Sequence, residues 1–250
     1  MNPISLDDVN EYVNQNIVDF HQKRIVLLER LKLNNLLKKN PYLFKAKNMT
    51  SAADLVVGLL DARLSSSEEK LFGDFLEDLA IFIARRTYGG HKSTAPGVDL
   101  EFENKGVYYL VSIKSGTSWG NASQQSKLAE DFQKAVTRVK QSRHMVNVQP
   151  TLGICYGKTK TRRLRGYLKV VGQNFWYLLS ESENLYTDII EPIGYRAKEH
   201  TDGFHKEKAR VVNQFTRQFI DRFCDDTGAI DWVRLVQFNS GNYDLDRFLR

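Results

Sequence analysis

The stretch 67–86 constrains this chain more than any other. At about 100° per residue, Leu71, Phe72, Phe75, Leu76, Leu79, Phe82 and Ile83 share one side of a helix. The opposite side carries Gly73, Glu77, Ala80, Ile81 and Ala84, which are small or apolar apart from the one acid. Such a helix is covered on both sides. Glu77 then stands in a packed seam, where a carboxylate needs a cation or a hydrogen-bond donor. Either Arg85 or another base pairs with it, or it faces a metal. An alternating stretch follows, with Val98, Leu100 and Phe102 on one face and Asp99, Glu101 and Glu103 on the other. Asn104-Lys105-Gly106 supplies a turn, and 107–114 is rich in β-branched and aromatic residues. Together these predict an antiparallel hairpin. With Glu103 opposite Gly106, Asp99 faces Leu110 and Ser112 faces Gly97. Asp99 and Ser112 become diagonal neighbours about 7–8 Å apart. Glu101 and Glu103 then lie too far along the strand to join Lys114.

The rest of the chain fills out the layers. Ser5, with Asp7 and Asp8 behind it, opens a helix before Val9. A second amphipathic stretch, 25–37, ends ahead of Asn40-Pro41. The pair reads as a scaffold or as a dimerisation arm. A short helix is expected over 51–62, with Ser65, Ser66, Ser67, Glu68 and Glu69 capping the next one. After a loop at 115–122, a helix runs to about Met145 with Leu128, Phe132, Ala135, Val136 and Val139 as its stripe. Strands are expected over 151–156, 165–171 and 174–180, and a helix over 211–223. The order predicts an α/β fold, a mixed central sheet flanked by helices with a helical N-terminal region. We expect one domain over 1–250, with a helical arm (1–47), a core (66–180) and a C-terminal helical region (205–250).

The 250 residues are 42% hydrophobic and 26% charged, which predicts a soluble globular protein and excludes a chain disordered throughout. The formal charge of +6 favours a polyanionic partner. Two cysteines, Cys155 and Cys224, exclude a disulfide framework and a cysteine zinc site, and fit reduced core residues of a cytoplasmic protein. The N-terminus does not read as a signal peptide, and no run is long enough for a membrane span. The segment 151–170 holds Lys158, Lys160, Arg162, Arg163, Arg165 and Lys169 and no acid. It is either a solvated face or a phosphate-contacting one, and the alternation with Thr159 and Thr161 suits a β-ribbon along DNA. Gly157-Lys158-Thr159 is not a phosphate loop, because Leu152 stands where the first glycine is needed. His200 and His205 read as a surface loop.

Chemistry converges on Pro96-Gly97-Val98-Asp99, Ser112-Ile113-Lys114 and Glu77. A carboxylate beside a backbone carbonyl can hold Mg²⁺, which takes oxygen ligands. The metal neutralises a phosphate and helps ionise water, and a lysine can orient or deprotonate that water. This pattern resembles the PD-(D/E)xK nuclease signature. The run VSIKSGTSWGNASQ (111–124), with 39–44, 66–73 and 153–157, resembles a group of type II restriction endonucleases, over roughly residues 38–158. The resemblance implies a restriction-endonuclease-like core and Mg²⁺-dependent, sequence-specific hydrolysis of double-stranded DNA to 5′-phosphate and 3′-hydroxyl ends. It implies a homodimer on a palindromic site, and a cognate methyltransferase in the same system with no direct contact. It assigns Asp99, Glu77 and the carbonyl of Ile113 to metal and Lys114 to the attacking water. The sequence departs from the family at Ser112, where an acid is expected. Either Glu77 replaces that acid, or metal binding is weak, or the site is inactive. Trp119 packs as core or reaches toward a base, and Asn121 and Ser123 open a helix whose amides suit a phosphate. With Lys158, Lys160, Arg162, Arg163 and Arg165 they make the expected DNA surface. The alternatives are a less specific repair or phage nuclease and a DNA-binding protein whose site has lapsed.

Overall fold

The computed structural model describes residues 4–143 and 147–248. Helix α1 (Leu6–Arg30) starts as expected. The Ser5 hydroxyl accepts the Asp8 N–H at 3.1 Å, and Asp7 and Asp8 sit in the first turn. The stretch 25–37 is split between the end of α1 and a single turn, α2 (Leu33–Leu36). Helix α3 (Pro41–Ala46) begins where the Asn40 side chain accepts the N–H groups of Tyr42 and Leu43.

Two helices were expected between 51 and 86, and the chain makes one, α4 (Ala52–Tyr88). The serines do not cap. Ser66 and Ser67 donate back to the carbonyls of Ala62 and Arg63 at 3.2 and 3.1 Å, a bond that lets serine lie within a helix. No glycine or proline between 59 and 72 interrupts it. Ala80, Ile81 and Ala84 are as buried as Leu79 and Ile83, so α4 is covered on both sides as its sequence predicts.

The sheet elements are β1 (His91–Lys92), β2 (Leu100–Asn104), β3 (Val107–Lys114), β4 (Asn147–Ile154), β5 (Arg162–Leu164) and β6 (Tyr167–Val171), with α5 (Ala122–Ser142) between β3 and β4. The expected end of α5 near Met145, and His144, fall outside the described residues. Then follow α6 (Gln173–Ser180), α7 (Leu185–Asp188), α8 (Ile190–Ile193), α9 (Ala197–Phe223) and α10 (Trp232–Ser240). The strand order is β1-β2-β3-β4-β6-β5. β3, β4 and β6 run parallel, while β1–β2, β2–β3 and β5–β6 are antiparallel. This is the mixed, helix-flanked sheet expected from the sequence. The segment 174–180 is helix α6, not a strand. Phe175, Trp176, Leu179 and Ser180 are buried at helical spacing while Tyr177 is exposed. A Cβ at Gly153 would sit inside the Phe175 ring, so glycine there lets α6 lie directly on β4.

The hairpin register also differs from expectation. Lys105 (φ 49°) and Gly106 (φ 74°) form the two-residue turn, both in the left-handed conformation that such hairpin turns use. Glu103 therefore faces Tyr108 and Leu100 faces Val111. The shift is two residues, so every side chain keeps its face. It moves Asp99 one pleat along, beside Ser112.

The sheet separates two apolar layers. Leu100, Phe102, Val111 and Ile113 pack with Phe75, Leu76 and Leu79 of α4 and Val9 and Val13 of α1. Leu110, Leu152 and Ile154 pack with Leu128, Phe132 and Ala135 of α5. Cys155 and Cys224 are free and buried. No helix among the described residues is long and apolar enough to cross a membrane.

By contacts the chain forms two compact units. One comprises the residues up to Phe20 with Leu71–Ala197, and holds the sheet. The other comprises His21–Lys70 and the residues from Lys198 onward. The second unit has its own core, including Leu36, Leu60, Val56, Phe215 and Phe219. His200 and His205 lie in α9 and not in a loop. In this unit His21 is only 7% exposed, stacks on His200 at 4.4 Å and lies 3.4 Å from the Arg24 guanidinium. Burial first, then the charges of His200 and Arg24, hold its imidazole down at about 4. An unfolded chain protonates this histidine near 6.5, so between those values the unfolded state binds more protons. Stability should fall as pH drops through that window, by up to about 1.4 kcal/mol per pH unit. Urea unfolding of the wild type and His21→Gln at pH 7 and pH 5 measures it. An equal loss in both proteins would remove His21 as the cause.

Candidate active site

The corrected register puts Asp99 at the entrance of β2, where its N–H donates to the Val111 carbonyl at 2.8 Å. Its carboxylate becomes the hub of the site. Asp99 Oδ2 accepts the Ile113 N–H at 2.6 Å, the Ser112 hydroxyl at 3.3 Å and the Lys114 ammonium at 3.3 Å. Lys114 Nζ also donates to the Ile113 carbonyl at 2.7 Å. Asp99 and Lys114 keep 23% and 26% of their side chains exposed, so the pair is open to a ligand from solvent. Ser112 is buried. Asp99, Ser112, Ile113 and Lys114 are thus brought together.

Glu77 reaches the same end of the sheet from α4. One turn before it, Gly73 faces Ser115 so closely that a Cβ would lie 3.4 Å from the serine hydroxyl. The base that pairs with Glu77 is Lys92 of β1, at 3.3 Å, and not Arg85. Burial, and next the charge of Asp99, push the Glu77 carboxyl above its usual range, against the pull of Lys92 and Lys114. The buried Cys155 thiol is pushed up to about 12 by burial and then by Glu77. The other hairpin acids are engaged elsewhere. Glu101 is buried and accepts from Ser93 at 2.5 Å and Tyr108 at 2.7 Å, and Glu103 lies 3.7 Å from Arg143.

Trp119 packs partly into the α5 layer, with its ring 5.8 Å from Lys114 Nζ. Asn121 caps α5. It accepts the Gln124 N–H while the Gln124 side chain accepts the Asn121 N–H, and Ser123 donates to Asn121 as well. The loop after β4 lies against the loop after β3. Tyr156 N–H donates to the Ser115 carbonyl, and Gly157 (φ 123°) packs on Thr117. Lys158 and Lys160 leave β4 in this loop, and Arg162 and Arg163 lie on the edge strand β5. These four and Arg165 are exposed and make no ion pair among the described residues. Only 162–164 are strand. Thr161 does not line up with the cations, because its hydroxyl accepts from the Val171 N–H and from Asn174.

The type II restriction endonuclease EcoO109I family matches residues 7–201, well over half of the chain. The chain belongs to that family. No curated protein matches it. Membership in the EcoO109I family makes the protein a nuclease by descent, and membership of the PD-(D/E)xK superfamily, from whose pattern the hairpin departs at Ser112, is consistent with it.

Three residues close to these side chains escaped the sequence reading. Lys92 sits in a two-residue strand with no pattern of its own. Lys127 and Asp131 lie on α5, and with Gly97, Ser112, Lys114 and Trp119 they line a cleft of about 360 Å³. The i, i+4 spacing of Lys127 and Asp131 was the available signal.

Proposed function

We propose that the protein is a Mg²⁺-dependent type II restriction endonuclease that hydrolyses double-stranded DNA at a specific site. The observation that carries the reading is the Asp99 carboxylate, held against the Ile113 amide and the Lys114 ammonium at the solvent-open end of the hairpin. The donor set suits a hard cation. Asp99 and Glu77 offer carboxylates and Ile113 a carbonyl, and the burial and the Asp99 charge that raise the Glu77 carboxyl are both offset by a bound cation. No group of three or more acids, histidines or cysteines arranged to hold a metal ion occurs among the described residues. Mg²⁺ commonly takes one or two carboxylates and keeps its waters, so two are enough. When bound there, the metal would neutralise the phosphate and help ionise a water. Lys114 orients that water and its charge stabilises the pentavalent phosphorus, and its bonds to Asp99 and Ile113 hold the ammonium in place. Ser112 supports Asp99 through its hydroxyl.

DNA would lie over the loops 115–124 and 157–165, with Lys158, Lys160, Arg162, Arg163 and Arg165 on its phosphates and Trp119, Asn121 and Ser123 beside the cut. The reading includes a cytoplasmic homodimer on a palindromic site, with a methyltransferase guarding the same sequence. Digestion of a long plasmid with Mg²⁺ tests it, and discrete fragments are the expected result. A smear would favour a less specific nuclease. Absence of cutting with Mg²⁺ or Mn²⁺ would favour a DNA-binding protein with a lapsed site, the reading that Ser112 supports.

Arg162→Ala with Arg163→Ala should weaken binding to specific and random DNA alike. Each lost phosphate contact lowers the slope of log K against log salt by about 0.9. An unchanged slope would return this strand to the role of a solvated edge.

A further inference from the structure

Lys114 does not face its cleft alone. Lys127, one turn and a half into α5, opens onto the same space, with 62% of its side chain exposed. Its ammonium is held at 2.9 Å by Asp131, whose carboxylate is only 11% exposed. That bond holds the Lys127 amine above its usual range, a fixed positive charge. Helix stability does not explain the pair. Lysine four residues before an acid is the weaker order for a helical ion pair, and a pair of that kind has no need of a buried carboxylate. Asp131 is buried for another reason. It is wedged against Gly97, where a Cβ would stand 2.9 Å from its Oδ2, in the turn that delivers Asp99. Gly97 takes a φ of 74°, so the turn is shaped to admit the acid. Asp131 therefore registers α5 against the catalytic turn and aims Lys127 into the cleft.

We propose that Lys127 binds a DNA backbone phosphate beside the reacting one, in the cleft it shares with Lys114, and that Asp131 positions it. The inference rests on the nuclease reading for its substrate. A cation fixed in this way neutralises a phosphate and aligns the strand for attack, which is worth more than its affinity alone.

The test has two arms. In metal-free buffer, DNA binding is titrated against salt for the wild type, Lys127→Ala and Lys127→Arg. Lys127→Ala should flatten the log–log slope by about 0.9 and Lys127→Arg should restore it. A slope unchanged in Lys127→Ala overturns the phosphate contact. In Mg²⁺, steady-state cleavage is measured for Asp131→Asn, which keeps the shape against Gly97. Removing a negative charge near DNA should leave KM unchanged or lower it. Losing the aim of Lys127 should still lower kcat on the order of tenfold. A kcat equal to the wild type overturns the positioning role, as does a loss confined to the melting temperature. If the wild type itself bound DNA and cut nothing, the nuclease reading would fall, and the salt arm would still decide Lys127.

Discussion

Asp99→Ala and Lys114→Ala should each cut DNA about 10²–10³-fold more slowly than the wild type, the range expected for loss of one electrostatic contact to the transition state, while metal-free DNA binding stays within a few-fold. Both residues sit at the hub, and neither belongs to the exposed cationic strand. Asp99 has a second duty, because its Oδ2 accepts the Ile113 N–H at 2.6 Å. Alanine therefore removes a structural bond along with the charge. Asp99→Asn keeps an oxygen for that N–H and should fold as well as the wild type, yet remain inactive. Quenched-flow cleavage under single-turnover conditions, with a melting curve for each variant, separates the two effects. Near wild-type cutting by Asp99→Asn or Lys114→Ala would mean that the reaction happens elsewhere.

Glu77→Gln should lower cleavage and metal affinity by orders of magnitude and hardly alter stability. The pair it breaks is with Lys92, whose side chain is 61% exposed, so the freed ammonium is already hydrated. Exposed pairs of this kind contribute about 0–1 kcal/mol. A large fall in melting temperature with cleavage intact would make Glu77 a structural residue. Ser112→Glu supplies the cross-check. Position 112 lines the cleft and its hydroxyl already touches Asp99, so a longer acid there would point at the same oxygen cluster. Partial rescue of Glu77→Gln by Ser112→Glu is the expected result. No rescue, with both variants folded, would argue that the two positions do not face one metal.

The hub was legible because its residues lie on a hairpin, where alternation fixes which side chains share a face. Alternation puts Asp99 and Lys114 on one face, and the resemblance to the nuclease signature singles them out among the acids there. The finer register was not legible. Asn104-Lys105-Gly106 admits more than one two-residue turn, and the one adopted puts Lys105 at a positive φ that no propensity favours. The continuity of α4 was hidden because serine is both a good cap and a tolerable helix residue, and here Ser66 and Ser67 donate back to the preceding turn and stay within the helix. Helix α6 was taken for a strand because Phe175, Trp176, Tyr177, Leu178 and Leu179 form an unbroken run without a readable period. Lys92 meets Glu77, and Asp131 meets Gly97, from separate elements, and apart from the i, i+4 spacing of Lys127 and Asp131 a single chain carries no sign of such meetings.

The two interlocked loops at the end of the sheet also bear on how such an enzyme could evolve. A Cβ at Gly116 would stand 3.0 Å from the Tyr156 ring, and one at Gly157 would collide with Thr117. Neither loop can gain bulk at these points unless the other changes with it. Single mutations there are therefore steps off a narrow path, whereas Gly166, at the turn between β5 and β6, has nothing within 4 Å of an added Cβ and is held to glycine by its φ of 94° alone. Lineages should diversify along the exposed cations beside that turn, and keep the inner glycines as a matched pair.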